Sequence, residues 1–278
     1  MCGIAGIVSL DRRPVDPREI GSMCSVMVHR GPDDEGLYAG SGAALGMRRL
    51  SIIDPARGRQ PLCNEDGTIW AVCNGEIYNF KELRDDLERR GHSFCSGSDS
   101  ETIVHLYEEF GRRCVERMRG MFAMALWDEG RRELLLARDR VGIKPLYYAV
   151  AGGRLVFASE LKAILQLPDV ERRLDWGAIN HLFTFLSGGI DSSSVVATMA
   201  RLSSGPVKTF SIGFDEKDYD ELRYARLVAE RFGTEHHELV VTPDVVDIVD
   251  DLAWFLDEPF GDSSAIPTYV VSRLASQF

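Results

Sequence analysis

The sequence has no run of 18 apolar residues, so nothing in it is long enough to cross a bilayer as a helix. It has no CxxC pair and no metal-spaced cysteine set: its six cysteines, Cys2, Cys24, Cys63, Cys73, Cys95 and Cys114, are scattered. Met1–Val8 has no basic leader and is soon followed by Asp11, Arg12 and Arg13, which is not the pattern of a signal peptide. Reduced thiols and a cytoplasmic protein are therefore expected. Positive charge is also short, 32 Lys and Arg against 43 Asp and Glu for a net charge of -11, which argues against a nucleic-acid or anionic-membrane surface. Repeats and low-complexity tracts are absent. What remains is a globular composition, and 278 residues suggest about two domains.

Residues 1–167 mix short strands with helices. Gly3–Val8 and Thr68–Asn74 read as strands, and Met121–Trp127 with Glu133–Arg138 as a buried pair across a Glu129-Gly130-Arg131 turn. Phe80 to Arg90 and Asp99 to Phe110 have helical spacing, the second with Ile103, Leu106, Tyr107 and Phe110 on one stripe and Ser98 or Asp99 as its cap. Strands inside and helices outside predict a layered sandwich. From Leu167-Pro168-Asp169 the pattern changes. A helix from Asp175, a strand Val207–Gly213, a helix Asp220–Phe232, a strand His236–Val241 and helices near Pro243–Leu256 and Ile266–Ser276 alternate as in a parallel α/β sheet.

Cys2 follows the initiator methionine directly. Small second residues permit Met1 removal, which makes Cys2 the expected mature N-terminus. An α-amine titrates near 7.7–8.0 and a thiol near 8.5, so at neutral pH part of the amine can accept the thiol proton. One residue then supplies both nucleophile and base. Cys2–Gly6, His29-Arg30-Gly31-Pro32-Asp33, Arg49–Ile53, Asn74–Asn79 and Gly97–Glu101 follow in that order. This set resembles the class II, N-terminal-nucleophile glutamine amidotransferases. The resemblance implies an αββα Ntn-hydrolase sandwich and a glutamine site. Cys2 would attack the amide, and Asn74 and the Gly75 N–H would hold the oxyanion. Arg49 suits the α-carboxylate through its two-pronged guanidinium, within the stretch Arg49, Leu50, Ser51, Ile52 and Ile53, and Glu76 and Asp99 suit the α-ammonium. His29 is read as structural.

Ser187-Gly188-Gly189-Ile190-Asp191-Ser192-Ser193 lacks the lysine of a Walker loop, yet its hydroxyls and glycine N–H groups at a helix start suit an anion. It resembles the pyrophosphate loop of N-type ATP pyrophosphatases. That likeness implies that Leu186, Ser187, Gly188, Gly189, Ser192, Ser193 and, on the downstream strand, Ile212 bind ATP. Asp191 would hold Mg²⁺. Asp257–Ser264 with Ile266-Pro267-Thr268 is similar to asparagine synthetases, and no role is assigned to it. His236 and His237 are neighbours on one strand, face opposite ways and are read as structural.

The whole therefore resembles a glutamine-hydrolysing asparagine synthetase: a glutaminase domain at 1–167, a linker and helix at 168–186, and part of a Rossmann-like parallel α/β ATP-pyrophosphatase domain at 187–278. The expected reaction consumes glutamine, aspartate and ATP, and yields asparagine, glutamate, AMP and pyrophosphate; a homodimer is allowed for. The alternative is a relative that amidates another carboxylate in a biosynthetic cluster. Compared with the family, a stretch before the phosphate loop is absent, and Phe278 precedes a second acidic, glycine-rich motif. A helix running straight into a phosphate loop predicts a backbone break near 184–187, and an incomplete synthetase half.

Overall fold

In the computed structural model, the described residues are 1–11, 13–173, 200–201, 207–213, 222–240, 245–257 and 265–275. The phosphate loop and the break expected near 184–187 lie outside them. Contacts divide the chain into Met1–Arg173 and Leu174–Phe278.

The first unit is built on two antiparallel sheets. One has the order β2 (Asp34–Ala39), β3 (Ala43–Arg49), β1 (Gly3–Ser9), β9 (Arg154–Ala158), β8 (Tyr147–Ala151). The other runs β4 (Leu62–Cys63), β5 (Ile69–Ile77), β6 (Gly120–Asp128), β7 (Glu133–Arg138). Side chains alternate along each strand, so each central strand supplies two cores. Ile4 and Val8 of β1 meet Val72 of β5, Ala123, Ala125 and Trp127 of β6 and Phe157 of β9 between the sheets. Ala5 and Ile7 point the other way, onto α1 (Pro17–Ser25) and α4 (Leu161–Ile164). Ala71, Cys73 and Ile77 of β5 likewise leave the inter-sheet layer for α2 (Phe80–Arg89) and α3 (Thr102–Phe110). The result is helix, sheet, sheet, helix, the αββα sandwich. Gly6 is required by it: a Cβ there would stand 2.1 Å from the Phe157 ring.

Asp99–Glu101 form a 3-10 turn ahead of α3, and Ser98 caps it by accepting from the Ser100 N–H. Asp99 is not the cap; its Oδ2 accepts the Ile77 N–H at 2.7 Å. Helix α1, with Asp16 as cap and Pro17 at its first position, has no counterpart among the sequence expectations, nor do β2, β3, β8 and β9.

In the second unit β10 (Lys208–Gly213) and β11 (Glu235–Val240) pair in parallel, joined through α5 (Leu222–Phe232). Helices α6 (Val245–Leu256) and α7 (Ala265–Ala275) follow. A parallel pair linked through a helix is the βαβ arrangement of Rossmann-like sheets. Thr209 Oγ1 lies 2.9 Å from His236 Nδ1, while His237 stacks on Phe210 at 5.1 Å, so both histidines hold the pair together. No helix among the described residues is long and apolar enough to cross a membrane.

Candidate active site

Cys2 stands at the mouth of β1, and an ion-pair network fixes its backbone. Arg30 Nε donates to the Cys2 carbonyl at 2.9 Å, and Arg30 Nη1 to Glu160 Oε1 at 3.0 Å. His29 Nε2 lies 3.0 Å from the same oxygen, and Lys162 Nζ 2.9 Å from Glu160 Oε2. His29, read as structural, thus shares Glu160 with the arginine that holds the Cys2 carbonyl. Burial alone would raise the Glu160 carboxyl, but hydrogen bonds from Lys162, Arg30 and His29 outweigh it and hold the carboxyl below its usual range. Its stabilising contribution is therefore complete above the unfolded carboxyl pKa, and is lost as pH falls through the lower folded value. Glu160→Gln, which leaves two buried cations underpaired, is expected to cost about 3 kcal/mol in denaturant unfolding at pH 7. Most of that difference should vanish in acid; a difference that persists unchanged at low pH would refute this account.

The Cys2 sulfur meets both backbone groups of Leu50, whose N–H points at it from 3.4 Å and whose carbonyl lies at 3.6 Å. Burial pushes the thiol pKa up, against the Leu50 N–H, the adjacent amino terminus and Arg49, which pull it down. The thiol therefore needs a base. Burial also lowers the pKa of the Met1 amino group; Cys2 opposes this, and Arg30 and Lys144 reinforce it.

A cavity of about 290 Å³ opens beside Cys2, lined by Arg49, Leu50, Ile52 and Ile53 on one side and by Gly75, Glu76, Ser98, Asp99 and Ser100 on the other. Gly58, Gln60 and Cys73 complete it. Strand β4 begins only at Leu62, opposite Ala71, so β5 beyond Ala71 has an open edge. Antiparallel pairing alternates, so the N–H groups of Cys73, Gly75 and Ile77 all point to that edge. Gln60 Oε1 takes the Cys73 N–H at 2.7 Å and Asp99 takes that of Ile77. The Gly75 N–H between them has no partner among the described residues. Asn74, 1% exposed, points to the inter-sheet layer that Cys2 borders, and its Nδ2 is a buried donor without a partner. These two unused donors are what an oxyanion would need. Asn74 is not among the residues lining the cavity, and neither is Ser51. Ser51 instead has its N–H held by Asp33 Oδ2 at 2.8 Å.

Arg49 differs from expectation in one respect. Of the five N–H donors of a guanidinium, three go to backbone carbonyls: Nη2 to Ile53 and Asp54, each at 2.9 Å, and Nη1 to Pro55 at 3.2 Å. It shapes the 53–55 loop while lining the cavity. Asp54 Oδ2 in turn accepts the Gly97 N–H at 2.7 Å and ties that loop to the opposite wall. Glu76 and Asp99 have no ion-pair partner among the described residues. Burial raises Asp99, with the Ile77 and Ser100 N–H groups pulling it back; burial and then Asp99 raise Glu76. Two carboxylates held above their usual range in one cavity favour a bound cation.

Sequence reasoning did not single out Gln60, Ser98 and Ser100. The two serines flank Asp99 in an already noted motif, whereas Gln60 carries no local signal. The ATP residues Leu186, Ser187, Gly188, Gly189, Asp191, Ser192 and Ser193 lie outside the described residues, and Ile212 lies within β10.

Residues 1–222 match the family model of the glutamine amidotransferase domain, and residues 170–278 that of asparagine synthase. The chain is 30% identical to a protein provisionally named asparagine synthetase (glutamine-hydrolysing) 2 of Methanocaldococcus jannaschii, over all of this chain and 72% of that one. The chain belongs to the glutamine-hydrolysing asparagine synthetase family. Asparagine synthetase 1 of Bacillus subtilis is 31% identical over all of this chain and 56% of its own length; asparagine synthetase 2 of the same organism is 44% identical over 63% of this chain. This family member thus spans just over half of the Bacillus subtilis synthetase 1 it matches. That alignment runs over 357 positions against the 278 residues here, so the relative carries internal stretches without a counterpart. The fold is shared with a glutamine phosphoribosylpyrophosphate amidotransferase from Bacillus subtilis, at a TM-score of 0.51 and 18% identity over 85% of this chain and 65% of that one.

Proposed function

We propose that residues 1–167 form a glutaminase in which Cys2, freed of Met1, attacks the side-chain amide of glutamine. The observation that carries this reading is the pair of unused donors, Asn74 Nδ2 and the Gly75 N–H, on the strand beside a cavity that Cys2, Arg49, Glu76 and Asp99 line. Arg49 and the backbone of Leu50–Ile53 face the α-carboxylate, and Glu76 and Asp99 the α-ammonium. The Cys2 amine takes the thiol proton as sulfur bonds to the amide carbon, and the carbonyl oxygen gains its negative charge against Asn74 and Gly75. The amine then protonates the departing ammonia. Water cleaves the thioester to glutamate and restores the thiol.

In the whole protein, residues 187–278 would contribute to ATP-driven activation of aspartate, and ammonia would complete asparagine with release of AMP and pyrophosphate. Leu186–Ser193 would hold ATP, and Asp191 would hold Mg²⁺, which supplies charge neutralisation at the phosphates. A cytoplasmic location fits the reduced state of all six thiols.

The test is the pH dependence of glutamine hydrolysis. The base must be neutral, and an ordinary α-amine titrates at about 7.7–8.0, so kcat/KM should fall about tenfold per pH unit on an acid limb centred in or below that range. A kcat/KM that does not fall on acidification, or an acid limb centred well above that range, would rule out the amine as base.

A further inference from the structure

On the outer side of the second sheet, two histidines and two carboxylates meet at one point. Glu65 lies in the β4–β5 turn, His92 follows α2, and His105 and Glu108 sit on α3, where their spacing places them on one face. His105 Nδ1 is 3.1 Å from Glu108 Oε2 and 3.4 Å from Glu65 Oε2. His92 Nδ1 is 3.4 Å from Glu65 Oε1 and 3.5 Å from Glu108 Oε2. One ligand atom from each of the four residues lies within 4.8 Å of the other three. A tetrahedral zinc ion with bonds of about 2.0–2.1 Å separates its ligands by about 3.3–3.4 Å. The four nitrogen–oxygen distances already match that spacing, and the partly exposed carboxylates of Glu65 and Glu108 can close the rest by rotation.

Both Nδ1 atoms face the same two carboxylates, His105 from a position only 1% exposed. His92 Nε2 lies 3.3 Å from Glu109 Oε1, and Glu109 also accepts from Arg90 Nη1 at 2.9 Å. A divalent ion at the common point would take both Nδ1 atoms as ligands, with two carboxylates to balance its charge, and Glu109 would orient His92 through Nε2, as carboxylates commonly orient metal-binding histidines. The Asn64 Nδ2 donor fixes Glu108 at 2.8 Å, and the Ser93 N–H fixes Glu65 at 2.8 Å.

We propose that Glu65, His92, His105 and Glu108 bind one zinc ion. Two imidazoles with two carboxylates suit zinc, whereas calcium and magnesium prefer all-oxygen shells. Four protein ligands leave no open position, so the ion is structural. His92 and His105 bracket the segment carrying Ser98, Asp99 and Ser100. The ion therefore pins both ends of one wall of the glutamine cavity.

The test is calorimetric titration of the chelator-stripped full chain with Zn²⁺, together with thermal unfolding. One equivalent should bind and raise the melting temperature. His92→Ala and Glu65→Gln should each weaken binding by at least about 100-fold, and Glu109→Gln, which touches no metal, by about 10-fold. Glu65→Gln sits on an exposed turn and keeps the apo fold, so its result stands even if a histidine variant unfolds. Co²⁺ in the site should give visible bands without sulfur-to-metal charge transfer. Absence of binding by the parent chain overturns the proposal. So does equal binding by the parent, His92→Ala and Glu65→Gln, because the metal would then sit on thiols. Neither outcome bears on glutamine hydrolysis at Cys2.

Discussion

Cys2→Ala should lower glutamine turnover by about four orders of magnitude or more, the scale on which removal of a covalent nucleophile acts. The side chain is partly buried at the border of the inter-sheet core and hydrogen-bonds only to Leu50 among the described residues, and alanine fills most of its space, so the sandwich should survive the change intact. Glutamine should still bind, because Arg49, Glu76 and Asp99 remain around the cavity. Steady-state ammonia release and calorimetric glutamine binding, measured on the same preparation, separate the two effects. Turnover within tenfold of the parent would remove Cys2 from the chemistry. In a complete synthetase the same substitution should spare synthesis from free ammonia, since activation of the acceptor belongs to the other half.

Asn74→Ala should lower kcat by about 10²–10³ and leave KM close to the parent value. The reason is the timing of the interaction. The Asn74 Nδ2 donor has no partner in the resting protein, so it can gain one when charge forms on the amide oxygen. An interaction made only then appears in kcat. A rise in KM with unchanged kcat would instead make Asn74 a binding residue for intact glutamine. Asn74→Asp keeps the shape but sets a negative charge against the oxyanion, and should be at least as damaging as the alanine change.

The residues proposed to do chemistry were legible because each stood in a short motif. Cys2, Arg49, Asn74, Gly75, Glu76 and Asp99 come from four separate segments, and the fold gathers them at one cavity edge or beside it. The way Gly75 acquires a free N–H was not legible. It depends on β4 beginning only at Leu62, opposite Ala71, while β5 continues to Ile77, and on Gln60 and Asp99 occupying the neighbouring N–H groups. Arg49 was read as a clamp for a carboxylate, but it also carries the 53–55 loop. Arg49→Lys would therefore disturb the pocket wall along with the charge, and its effect on KM cannot be assigned to the substrate alone.

Among the elements, α2 and α3 were read from their helical spacing, and β6 and β7 as a buried pair from the turn residues between them. The β2–β3 hairpin was missed because Ala43–Arg49 is buried along almost its whole length, so apolar and polar residues do not alternate. Helix α1 was missed although Asp16-Pro17 is a strong start signal, because only Ile20, Met23 and Cys24 are buried on it. The proposed zinc ligands escaped notice for a different reason. They come from two turns and a helix, and only His105 and Glu108 are close enough in sequence to suggest a common face.

Cys2 is joined without any spacer to a strand packed on both sides, and its carbonyl is gripped by Arg30. Residues left ahead of it would keep its α-nitrogen in a peptide bond, where it has no lone pair to take a proton. An affinity tag fused at the front of this protein would then yield material that is folded and pure yet inert. The handle for purification belongs at the other end, or must be cut away to leave cysteine as the first residue.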